Sequence, residues 1–183
     1  MRRNLMFVLL GAAIGATSLH YAVRAWATPA SGFAATTLAK GTLGAFEVFN
    51  HFIPPNVTDE DDERNIWLSW QKTRGRSDLY VQSNTWQAMQ PGLPVASTGW
   101  HSHPGHSLII VTAGTLTAYE GDDPTCTPHV YTVGMAFVDP GGGHVHIIRN
   151  EGSVVAQNIA VQLIPAGQPR RIDVSPAPGN CPF

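Results

Sequence analysis

From residue 66 onward, turn-forming residues recur between short apolar stretches, and no long amphipathic pattern follows residue 30. The breakers are Pro91-Gly92, Pro104-Gly105, Ala113-Gly114, Gly121 to Pro124, Pro140 to Gly143 and Glu151-Gly152. Glycine and proline terminate regular elements because one tolerates backbone angles that other residues avoid and the other lacks an amide donor. The stretches between them are short and apolar. Trp67–Lys72, Asp78–Trp86, Val95–Ser102, Ser107–Thr112 and Thr115–Tyr119 are predicted strands, as are His129–Val133, Met135–Val138, Val145–Arg149 and Val154–Ile164. Earlier, Glu47–Ile53 reads as a strand, and residues 28–45 as a leader segment holding one more. Strands at intervals of about 8–12 residues predict an all-β sandwich or barrel.

The first stretch is set apart from this pattern. Arg2-Arg3 precede an apolar run from Leu5 to Leu19, and Ala25-Trp26-Ala27 precede Thr28-Pro29. A positive start, a short apolar stretch and small residues before a cut describe an export signal. The run of about 15 residues is shorter than the roughly 20 needed to span a bilayer. The expectation is a signal peptide over 1–27, no stable membrane span after cleavage, and one domain over 28–183. The exported protein is then periplasmic or extracellular. Arg2-Arg3-Asn4-Leu5-Met6 also loosely resembles a twin-arginine signal. The two cysteines, Cys126 and Cys181, are expected to form a disulfide, as an even pair does in an oxidising compartment.

Several functions are disfavoured. A net charge of −2 provides no broad field for nucleic acid, and Arg170-Arg171 is too small a basic patch. The acidic run Asp59 to Glu63 lacks the spacing of a helix–loop–helix calcium site and reads as a solvated loop. Ser107 lacks the Gly-x-Ser-x-Gly turn of a serine hydrolase, and Gly141-Gly142-Gly143 follows no strand-to-helix pattern for phosphate. Asp122, Asp123 and Asp139 read as turn residues.

The chemistry concentrates in histidines. Six of the eight (101, 103, 106, 129, 144 and 146) fall between residues 101 and 146. On a strand, residues two apart point to the same face. His101 and His103 therefore project together, and two imidazoles on one face can chelate a metal ion. A second His-x-His, His144 and His146, follows the glycine turn. His106 and His144 are each weighed as an alternative ligand or a neighbour of the ion. The plainer reading of His106 is a turn histidine, and that of His144 a residue at the rim. His129 reads as a surface residue.

The two segments resemble the paired motifs of the cupin superfamily. The first motif is a glycine, five residues, His-x-His, three or four residues, Glu, six residues and Gly. Here His101, His103 and Gly114 match, Val95 replaces the opening glycine, and Ser107 stands at the Glu position. The second is Gly, five residues, Pro-x-Gly, two residues, His, three residues and Asn. Gly134, Pro140 and Gly142 match; the histidine comes one residue late, at His146, and Asn150 follows it at the family's interval. The resemblance covers roughly residues 78–165.

What the resemblance implies is a cupin-type jelly-roll barrel, a double-stranded β-helix, with its core at about 78–165. It would hold one divalent metal ion on His101, His103 and His146. The family's glutamate does not carry over, because Ser107 is a poor ligand while protonated. A neutral three-histidine set would leave the ion's charge uncompensated and favour anionic ligands. Imidazoles accept Fe, Mn, Zn, Ni or Cu, so the ligands do not select the metal. One reading is a metal-dependent oxidoreductase of the dioxygenase kind acting on a small molecule. The other is a barrel that binds a small ligand or metal without turnover. The resemblance also implies a homodimer, and Leu108-Ile109-Ile110-Val111, apolar on both faces, suits a strand between two layers.

Overall fold

A computed structural model of the chain describes residues 29–53 and 67–183. The expected export signal and the acidic run fall outside these residues. Every regular element among the described residues is a strand. None forms a helix long and apolar enough to cross a membrane.

Two antiparallel sheets make a jelly-roll barrel. The first is ordered β1-β4-β12-β7-β10, from Phe33–Leu43, Ser77–Trp86, Ala156–Pro165, Ser107–Ala113 and Ala136–Asp139. The second is ordered β13-β6-β11-β8-β9, from Ile172–Asp173, His101–Ser102, His146–Asn150, Thr115–Glu120 and His129–Thr132. The short strand β5, Ala96–Ser97, also pairs with β11. Strands β2 (Glu47–Phe52) and β3 (Trp67–Lys72) form a separate two-stranded sheet.

The predicted strands appear within one or two residues of their expected ends, with one division. The stretch 95–102 splits into β5 and β6 around Gly99, which has φ +69°. The strand expected within the leader segment is β1, which runs for 11 residues and pairs with β4 from Phe33↔Trp86 to Leu43↔Ser77.

Alternation decides what lies between the sheets. Trp86, Ala96, Val111, Leu116, Ala118, Ile148 and Ala156 form the main apolar cluster. The Trp86 indole N–H donates to the Ile148 carbonyl at 3.2 Å, so this buried ring carries no unpaired donor. Asn150 is fully buried; its side-chain amide donates to the carbonyls of Gln87 and Val154, and its oxygen accepts from the Gly152 amide. The closing asparagine of the second motif thus pins the turn between β11 and β12.

Within the described chain the two faces of Leu108–Val111 differ. Ile109 and Val111 are buried, but Leu108 and Ile110 are 55% and 44% exposed. Within the described chain β7 is covered on one face only, because no second layer lies over that side of the sheet.

A second cluster, Trp100, Tyr119 and Ile147, packs against Cys126 and Cys181. These cysteines form a disulfide that closes a sequence separation of 55 residues and holds the C-terminal tail on the body. Asp123 presents this loop: its carboxylate accepts from the backbone amides of Thr125 and Thr127. Reduction is expected to lower stability by about 4 kcal/mol in the chain-entropy treatment of loop closure. Chemical denaturation with and without reductant checks this, with a mass gain of two hydrogens confirming the broken bond.

Candidate metal centre

Two neighbouring elements place the three histidines. His101 and His103 belong to β6 and the turn after it, and His146 opens β11. In the sheet His146 pairs directly with His101. The ring centroids stand 4.8 Å apart for His101–His103, 4.4 Å for His101–His146 and 5.4 Å for His103–His146. One ring nitrogen from each lies within 4.8 Å of the other two. The late position of His146 is absorbed in the turn before it, where Gly141, Gly142 and Gly143 all have positive φ.

Hydrogen bonds select the nitrogens. His101 Nδ1 lies 2.8 Å from the Gly99 carbonyl, and His103 Nδ1 bonds the Arg170 carbonyl. A carbonyl only accepts, so each Nδ1 carries the proton and each Nε2 keeps a lone pair. Metal-ligating histidines are usually oriented by such a bond from the opposite nitrogen. Burial holds the His101 ring well below the usual histidine range, with His146, Arg171 and His103 adding to it. Burial also lowers His103, and it pushes His146 down to about 4. All three are therefore neutral at neutral pH, which is the protonation state that ligates. Donor type, tautomer and charge all fit a divalent cation.

The histidines open onto a cavity of about 90 Å³ between the sheets. Facing them from the first sheet are Gln82, Asn84, Asn158 and Gln162, an amide-rich wall made by alternate residues of β4 and β12. The Asn84 side-chain amide donates to Asn158 at 2.9 Å. The side-chain carbonyls of Gln82 and Gln162 are buried with no hydrogen-bond partner within the protein. Arg170 and Arg171 line the same cavity, with Arg171 donating to the Thr98 carbonyl at 2.6 Å and to Asp173 at 2.5 Å. Sequence reasoning read this pair only as a small basic patch. It also missed the glutamines and asparagines, since no local motif marks which strand will face the histidines.

The other candidates separate. His106 bonds Gln71 of β3 at 3.1 Å and lines a different cavity. His144 stacks at 6.0 Å from His146, and its Nε2 is 3.1 Å from a Glu120 oxygen. Burial raises the Glu120 carboxyl above its usual range, while His144 and His129 oppose that shift. Ser107 is 3% exposed and lies in the cavity wall. His129 is exposed. Asp139, expected to be a plain turn residue, is instead 4% exposed and adjacent to the cluster. Its Oδ2 lies 3.6 Å from His103 Nε2 and its Oδ1 3.8 Å from His146 Nδ1. Together with His144 and His146 it makes a second group whose ligand atoms lie within 4.8 Å of one another.

Close backbone packing fixes the two ligand turns against each other. A Cβ on Gly141 would lie 2.2 Å from the Gly105 carbonyl carbon, and one on Gly105 would lie 2.0 Å from the Leu163 carbonyl oxygen. The Gly143 amide donates to the His103 carbonyl at 3.1 Å.

A sequence model of the cupin domain matches residues 85–162. No curated protein matches the chain. Among solved structures, a cupin superfamily protein from Desulfitobacterium hafniense is 14% identical over 47% of this chain and 67% of its own, with a TM-score of 0.38. Oxalate oxidase in complex with the substrate analogue glycolate is 19% identical over 52% of this chain, with a TM-score of 0.42. A structure from work on DMSP lyases is 16% identical over 56% of this chain, with a TM-score of 0.42. The aligned region spans 46% of each of the latter two chains.

Proposed function

We propose, on the premise that this chain carries a cupin domain over residues 85–162, that it binds one divalent metal ion through His101, His103 and His146 and acts as a metal-dependent oxidoreductase, dioxygenase-like, on a small molecule. The observation that carries the reading is the convergence of three neutral imidazoles, those of His101 and His146 buried and that of His103 partly so, two of them with Nδ1–H already committed to backbone carbonyls. An ion bound there would supply Lewis acidity and open coordination positions for substrate and O₂ or water.

The surrounding residues do the rest. The cavity admits only a compact ligand, since a single water needs on the order of 10–15 Å³ by the same kind of measure. Arg170 and Arg171 favour an anionic group. The unpaired carbonyls of Gln82 and Gln162 favour a ligand carrying hydroxyl or N–H donors. Small hydroxy acids and phenols meet these conditions. The disulfide is consistent with an oxidising location and supports export.

A second reading is a barrel that binds its ligand without turnover. It draws support from the open positions being lined by amides and arginines rather than by a matched acid and base. The two readings separate by experiment. Protein purified from its native compartment is expected to contain one Fe, Mn, Zn, Ni or Cu per chain by elemental analysis. It is expected to consume O₂ with a small hydroxy acid or phenol. Metal-replete protein that retains a ligand and forms no product favours the binding barrel. Protein that holds neither metal nor a retained ligand rejects both.

A further inference from the structure

We propose that Asp139 supplies the anionic ligand of the three-histidine centre, from β10 rather than from β7; this rests on the metal reading above. On β7 the position for a carboxylate is occupied by Ser107, which carries no charge. In the antiparallel pairing of β10 with β7, the residue directly opposite Ser107 is Asp139. The Ser107 hydroxyl lies 3.5 Å from Asp139 Oδ2. One step across the ladder therefore brings a carboxylate to the side of the cluster where β7 lacks one.

The surroundings of Asp139 suit a ligand better than a turn residue. Its side chain is 3% exposed. Its Oδ1 accepts a hydrogen bond from the Gly141 amide at 3.0 Å. Among the described residues, the basic side chains within 4 Å of its oxygens are the His103 and His146 rings. A carboxylate this deeply buried is costly unless it is paired or bound to a cation, and an ion held between it and these rings removes that cost. The contacts of 3.6 and 3.8 Å are too long for good hydrogen bonds, and His146 Nδ1 has no hydrogen-bond partner within the protein. The pairing also answers the charge problem of the three-histidine set: one carboxylate halves the ion's uncompensated charge.

Equilibrium titration of the metal-stripped full chain with Co²⁺ tests this, because the visible spectrum of Co²⁺ reports the ligand set directly. The wild-type chain is expected to bind one equivalent. Asp139→Asn is expected to weaken Co²⁺ binding by at least 10–100-fold, the loss typical of removing even an outer partner of a metal site, and to alter the spectrum. Placing Ser107→Glu in the Asp139→Asn background returns a carboxylate to β7 and is expected to restore most of the affinity. Unchanged affinity and spectrum in a folded Asp139→Asn chain overturn the proposal. A His144→Ala loss as deep as that of Asp139→Asn also overturns it, by assigning Asp139 to the group with His144. If Asp139→Asn does not fold, the double variant decides: folded with Co²⁺ bound supports the proposal, folded without binding overturns it. A wild-type chain that binds neither Co²⁺ nor Zn²⁺ removes the metal reading itself, an outcome distinct from the others.

Discussion

Replacing His101 and His103 together with alanine is expected to remove the metal and leave the barrel. Elemental analysis of the purified variant should show only traces where the wild-type chain is expected to hold one ion. Each substitution deletes a proposed direct ligand, so each should cost at least the 10–100-fold that loss of an outer partner costs. Two such losses carry binding out of any useful range. The fold should survive because neither ring belongs to the apolar clusters that hold the sheets together. The variant should therefore unfold cooperatively, close to the midpoint of metal-stripped wild-type protein, when both are followed by circular dichroism. Metal retained in full by the double variant contradicts the ligand assignment. An unfolded variant is resolved by the single substitution His103→Ala, whose ring is the more exposed of the two.

Gly141→Ala is expected to damage the site without touching a ligand. Gly141 has φ +67°, in a region that costs a residue with a side chain about 1–3 kcal/mol. The added methyl would also meet the Gly105 carbonyl group at 2.2 and 2.3 Å and the His106 amide nitrogen at 2.6 Å. Those are backbone atoms, so the contact cannot be relieved by turning a side chain. The two turns must separate, and they carry His103 on one side and Asp139 and His146 on the other. The expected result is a loss of thermal stability at the upper end of that range or beyond. Metal affinity should fall with it, although every ligand remains. Gly142→Ala is the matched control: it shares the positive φ, at +64°, but its added methyl meets nothing within 4 Å. Equal effects from both would show that strain alone, and not the contact between turns, accounts for the loss.

Much of this was legible in the chain itself. The strands could be read because alternation and turn residues are local signals, each contained within a few neighbours. The histidines His101 and His103 were legible for the same reason: two residues apart on a strand means one face. His146 came from a motif with recognisable spacing. The cysteine pairing followed from an even number of cysteines and the expectation of export.

Asp139, Arg170, Arg171 and the glutamines were not legible as parts of a site. Asp139 looks like any aspartate before a Pro-Gly turn. Its meaning depends on lying opposite Ser107, and that register is a property of two strands about thirty residues apart. The exposed outer face of Leu108 and Ile110 is a similar case: an apolar run looks doubly buried until the sheet shows which side lacks a covering layer.

The sequence by itself determined the strand content and the placing of the two histidine segments, because side-chain direction along a strand follows from backbone geometry alone. Only the tertiary structure decided which residues face those histidines across the barrel, and from which strand a carboxylate reaches them. Pairing between strands is set by the packing of the whole sheet, and no short stretch of residues encodes it.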